Sequence, residues 1–163
     1  MRGSDVVSVG EFEFRVLDVK AHTRGHVAYA CDAGVDVVVQ RGHGGASEEG
    51  AGGPVLFVGD SLFAGGCGRL FEGDGDDLFA ALSTLDNEAD DALVACAHEY
   101  TAGNLAFAVH AYPDVAAIRD RLRDLPATKG ASLSSVPSRL GLEKATNPFL
   151  LALRQQDARE RAL

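Results

Sequence analysis

Three side chains with metal-binding chemistry, His22, Asp60 and His98, each stand where a short apolar run ends. Val55 to Val58 is β-branched and aromatic and reads as a buried strand, and Gly59-Asp60 falls where its backbone must leave the sheet. Ala92 to Ala97 repeats the arrangement, delivering His98-Glu99-Tyr100-Thr101 at its mouth. His22 lies in AHTRGH with His26 four residues on, but the flanking alternation says strand, turn, strand, so the two imidazoles do not share a face by construction. Neutral imidazoles and a carboxylate are the ligand set expected for zinc or iron, and a carboxylate can bridge two metals. Each residue also has a plain structural use. An Asp after a strand commonly turns the chain or caps a helix, and a His at a turn is commonly a hydrogen-bonded structural residue.

The elements that must position these groups follow from periodicity. Glu11 to Val16 alternates as a half-buried strand and leads through the His22 turn to a second apolar piece, Val27 to Cys31. Asp36 to Gln40 is β-branched and is expected to pair with Val55 to Val58. Between them the glycine-rich stretch 41–53 reads as a mobile hairpin tip or insertion, too loose for His43 to be a preorganised ligand. After Gly73, Asp74 or Asp76 can cap a helix whose buried face is Leu78, Ala81, Leu82 and Leu85. From Gly103 the texture turns helical. Leu105 to Val109 begins a helix stopped by Pro113, Asp114 caps the next, a loop through SLSSVPS interrupts, and Asn147-Pro148 opens the last. Strands come first and helices afterwards, without an internal repeat.

The totals narrow the class. The 163 residues, 46% apolar and 24% charged, suit one ordinary domain or a small domain with a helical appendage. The net charge of −9 argues against nucleic acid as a partner. No stretch approaches transmembrane length and the start lacks a secretion-signal core, so no membrane partner is expected. Cys31, Cys67 and Cys96 fit neither a disulfide framework nor a zinc ribbon, which makes the cytosol the expected compartment. Residues 114–163 hold 9 bases against 6 acids, whereas residues 1–113 hold 6 against 18. The C-terminal third is therefore the better place to seek counter-charges for a small anion, although a solvated helical face with mixed charges reads the same way.

With HTRGHVAYA, VLFVGDSLFAGGCGRLFEG, CAHEYTAGNLAFA and KATNPFL in view, the chain resembles the glyoxalase II family, the hydroxyacylglutathione hydrolases of the metallo-β-lactamase fold. The resemblance implies an α/β (α+β) architecture. Residues 1–98 would be the C-terminal part of a metallo-β-lactamase αββα sandwich, and residues 99–163 a small all-helical domain of glutathione-binding type. It implies a thiolester hydrolase that cleaves S-lactoylglutathione to lactate and glutathione by attack of a metal-bound hydroxide, with no separate protein base. The implied cofactor is a binuclear centre of zinc, or of iron or manganese. Carried over residue by residue, His22 binds the first metal, Asp60 bridges, His98 binds the second and His26 supports. Arg69 and Tyr100 match glutathione-binding positions, and Arg154, Arg159 and Arg161 follow NPFL where a glutathione carboxylate would be met. Phe71 stands where some members have a tyrosine.

One departure outweighs these matches. The family's His-x-His-x-Asp-His motif, which supplies four ligands from an N-terminal half, does not occur in this sequence. Each metal would keep one histidine plus the shared Asp60, against three protein ligands at ordinary catalytic zinc. The chain by itself is expected to be metal-poor, feebly active and prone to self-association unless a separate N-terminal half joins it. The alternatives are a non-catalytic glutathione-binding remnant and a mono-iron protein like the persulfide dioxygenases of the same fold.

Overall fold

The computed structural model describes residues 5–40, 47–125 and 134–160. Among them six strands form one sheet in chain order: β1 (Val6–Val9), β2 (Phe12–Asp18), β3 (Val27–Gln40), β4 (Ser47–Gly59), β5 (Leu93–Cys96) and β6 (Ser138–Arg139). Neighbours are antiparallel except β4 and β5, which run parallel. A parallel pair needs a crossover, and α1 (Gly75–Asp86) supplies it. Helices α2 (Thr101–Ala111), α3 (Ala116–Asp124), α4 (Leu140–Thr146) and α5 (Pro148–Glu160) follow, giving the expected α/β architecture with a helical C-terminal part.

Side chains alternate across the sheet, so β2 to β5 each send residues to the face that the helices cover, whereas β1 is largely exposed. Leu17, Val19, Ala28, Ala30, Leu56, Val58 and Val94 share one cluster with Ala81, Leu82 and Leu85 of α1, Leu140 of α4, and Leu150 and Leu153 of α5. Helices therefore cover this face. A smaller cluster joins Leu105 and Ala108 of α2 to Ile118 of α3, with Leu151 packed against it. Helix α1 is capped by Asp74, whose carboxylate accepts from the Asp76 and Asp77 amides while the Asp77 carboxylate accepts from the Asp74 amide.

Several expectations are corrected. Val55 and Leu56 pair with Cys31 and Ala30, and the expected partners, Val37 to Gln40, pair instead with Gly50 to Ser47. The stretch 41–53 was expected as a tip or insertion, but Ser47 to Gly53 belongs to β4; residues 41–46, with His43, lie outside the described residues. Helix α2 starts at Thr101, ahead of Leu105, and α3 is entered from Val115, not Asp114. Beyond SLSSVPS the chain forms β6 and α4, which apolar periodicity did not signal because α4 is only seven residues long. Pro148 does open the last helix, where its missing N–H costs nothing.

Candidate metal centre

Asp60 leaves β4 immediately after Gly59, whose φ of +53° lets the strand end abruptly. A Cβ at Gly59 would press on the His26 ring. That ring faces the turn because Nε2 of His26 accepts the Asp60 amide at 3.1 Å. The Asp60 carboxylate then meets two imidazoles: Oδ2 lies 3.7 Å from Nε2 of His22, and Oδ1 lies 3.3 Å from Nε2 of His98. Two histidines, each 38 positions from Asp60 on either side, thus reach its two oxygens separately.

The His22 ring is held from behind. Its Nδ1 lies 2.6 Å from the Arg69 carbonyl oxygen, which can only accept, so Nδ1 carries a proton, and in the neutral ring Nε2 presents a lone pair. That lone pair faces a carboxylate oxygen at a distance too long for a hydrogen bond. Two acceptors in this relation repel, and a cation between them removes the repulsion. Two ligands of one tetrahedral zinc lie about 3.4 Å apart at ordinary bond lengths, which matches both imidazole–carboxylate separations. The donor types suit a metal ion, but the set is incomplete. Among the described residues, no three His, Cys, Asp or Glu side chains gather into a group that could hold a metal ion unaided.

Neighbouring groups tune rather than extend the set. His98 stacks on Tyr100 with centroids 5.0 Å apart and meets the edge of Phe63 at 5.8 Å. His22 packs against Phe71 at 5.0 Å, and the Arg69 guanidinium stands 6.0 Å from that ring. Burial pushes the Cys67 thiol up to about 12 and raises Cys96 as well, so neither offers a thiolate at neutral pH. Burial also works against the charge of Glu99, but bonds from the Ser135 and Thr101 hydroxyls, the Ser135 amide and Ser134 outweigh it and hold the carboxyl below its usual range. Glu99 is thereby engaged at the start of α2, away from any ligand role.

The Asp60–Arg69 loop closes on itself. Phe63 and Gly66 exchange backbone hydrogen bonds, and a Cβ at Gly68 would overlap the Asp60 carbonyl oxygen. Sequence reasoning chose Arg69 for its guanidinium, yet its carbonyl is what orients His22. Arg154, expected near a glutathione carboxylate, is paired with Asp86 at 3.1 Å; the side chain of Arg159 and all of Arg161 lie outside the described residues. Glu143 and Arg121, both buried beneath this loop, carried no sequence signal beyond a polar position on a helix face.

Residues 99–162 match the family model described as hydroxyacylglutathione hydrolase C-terminus. A hydroxyacylglutathione hydrolase of Erythrobacter litoralis is 39% identical over 149 residues, covering 91% of this chain and 51% of the relative. One from Gloeobacter violaceus is 41% identical over 150 residues, covering 92% and 52%. The chain spans about half the length of the curated relatives it matches. Among solved structures, a metallo-β-lactamase from Staphylococcus aureus superposes with a TM-score of 0.54 at 22% identity, over 92% of this chain and 33% of that one, which shows the fold.

Proposed function

We propose, from its likeness to hydroxyacylglutathione hydrolases over most of its length, that this chain belongs to that family and carries the C-terminal half of a thiolester hydrolase acting on S-(2-hydroxyacyl)glutathione. One observation carries the reading: each oxygen of Asp60 faces a different imidazole, at 3.7 and 3.3 Å. His22 with Asp60 would hold one metal and His98 with Asp60 the second, with zinc the first choice and iron or manganese the alternatives. A metal held there supplies Lewis-acid chemistry, acidifying water and polarising the thiolester carbonyl.

The chain's own residues do the rest. The Arg69 carbonyl fixes the His22 tautomer, and His26 holds the backbone of Asp60 so that its carboxylate points between the two rings. Phe63 and Tyr100 pack the His98 ring on two sides. The exposed Tyr100 and Arg69 side chains stand beside the cluster, where a glutathione moiety would meet a ring, a hydroxyl and a cation. The relatives' names favour this reading over the mono-iron dioxygenase.

With two protein ligands per metal, a polypeptide equivalent to the other half of the relatives would supply the further protein ligands. The test combines this chain with the residues of the Gloeobacter violaceus relative that precede the matched region. The chain alone should bind well under one zinc per molecule and turn over S-lactoylglutathione feebly, and the combination should raise both. Asp60→Ala should abolish the gain and His43→Ala should leave it. Equal losses from both substitutions, or full metal and activity in the chain alone, overturn the reading.

A further inference from the structure

Glu143 is a fully buried carboxylate outside the cluster of His22, Asp60 and His98, and a buried charge is costly unless it is well partnered. Its partners are specific. Oε1 accepts from Arg121 at 2.5 Å, and Oε2 accepts from the Gly65 amide at 2.8 Å. Arg121, itself 8% exposed at its side chain, also donates to the Thr146 hydroxyl at 2.6 Å. One turn on, the Asn147 amide donates to the carbonyls of Phe63 at 3.1 Å and Gly66 at 2.9 Å. Helix α2 adds Asn104, which donates to the Ala64 carbonyl at 3.0 Å. Every residue of the 63–66 turn is thus held by a side chain from the helical part.

Both ends of that loop lie in the candidate metal centre. Asp60 at its start supplies the carboxylate, and Arg69 at its end supplies the carbonyl that orients His22. Between them Phe63 touches the His98 ring. A buried ion pair is a weak source of net stability, because desolvation offsets most of the attraction. Its placement against one loop amide matters more than its energy.

We propose that Glu143, held by Arg121, and Asn147 are positioning residues for the metal centre, acting through the Phe63–Gly66 turn. This rests on the proposed function for what the centre binds, but the geometric claim stands apart from it. Loosening the clamp lets the loop's ends shift, so Asp60 and the Arg69 carbonyl lose their fixed relation to His22.

The experiment compares the full chain with Glu143→Gln, which keeps the shape but removes the charge, and with Leu85→Ala as a variant destabilised elsewhere in the core. Two quantities are read under conditions where circular dichroism shows each protein folded: the His22 tautomer from ring-nitrogen NMR, and Co2+ affinity from its absorption spectrum. Glu143→Gln should give mixed His22 tautomers and roughly tenfold weaker Co2+ binding; Leu85→Ala should retain a single tautomer and the parent affinity. Parent values in Glu143→Gln overturn the proposal, as do equal changes in both variants. Should Glu143→Gln fail to fold, Arg121→Lys reads the same quantities, because it keeps the charge but cannot hold Glu143 and Thr146 together. If the parent binds too little Co2+ to compare, as two protein ligands per metal would give, the His22 tautomer alone decides: a single tautomer in Glu143→Gln overturns the positioning role.

Discussion

Leu56 and Phe57 are neighbours on one strand with opposite fates. Leu56 is 1% exposed beneath the helices, whereas Phe57 is 46% exposed on the other face of the sheet. The contrast extends to neighbouring strands, although Val16, Cys31 and Val55, which share the face of Phe57 by register, are buried as well. Leu17, Ala28, Ala30, Val58 and Val94 follow Leu56 into the core, while Phe14 and Tyr29 follow Phe57 outward. Phe12, Phe14, Cys31, Val55, Phe57, Leu93, Ala95 and Pro137 together line a wholly apolar cleft of about 260 Å³ on that second face. A sheet apolar on both faces is built to lie between two layers, and the described helices cover one of them. The uncovered face is where we propose that the complementary half of the relatives would lie.

The largest effect that would break this contrast is on stability. Leu56→Ala should cost about 3 kcal/mol in urea unfolding, whereas Phe57→Ser should change stability by no more than about 0.5 kcal/mol. Similar losses from both would mean the second face is already covered, for instance by self-association. A second measurement sharpens the same point. An apolar fluorescent dye should bind the chain, and Phe57→Ser or addition of the complementary half should cut the signal several-fold; an unchanged signal would place the dye elsewhere.

Smaller effects probe the covered face. Asp74→Ala removes the carboxylate that caps α1 and should lower stability by about 1 kcal/mol in thermal melts, leaving dye binding as it was. The smallest effect is electrostatic. Arg15 bonds Asp32 on the neighbouring strand and Glu88 beyond α1, and the Arg15 bond is the main cause holding the Asp32 carboxyl below its usual range. A lowered folded pKa stabilises above the unfolded value near pH 4 and is lost as pH falls through the folded value. Both side chains are largely exposed, so solvent screening limits the pair to about 0.5 kcal/mol. Asp32→Asn should therefore cost up to about 0.5 kcal/mol in urea unfolding at pH 7, and that difference should vanish as pH falls well below 4.

Much of this was legible because it is local. The strand-ending positions of Asp60 and His98 followed from short apolar runs, and the Asp74 cap and the Pro148 helix start followed from residues whose preference depends on their immediate neighbours. Strand pairing failed for the opposite reason. Asp36 to Gln40 and Tyr29 to Cys31 are both acceptable partners for Val55 to Val58, and only the length of the β3–β4 hairpin chooses between them. Glu99, to which the sequence assigned no role, is occupied with the hydroxyls of Thr101, Ser134 and Ser135.

The sequence by itself determined which side chains could bind a metal, that each ends an apolar run, and that the His-x-His-x-Asp-His ligands are missing from it. It could do so because residue chemistry and strand periodicity are properties of the chain alone. Only the tertiary structure decided that His22 and His98 take separate oxygens of Asp60, that a backbone carbonyl at Arg69 fixes an imidazole, and that Glu143 reaches across 78 residues to the Gly65 amide. Those are contacts between distant segments, set by how the sheet and helices close on one another, and no local pattern carries them.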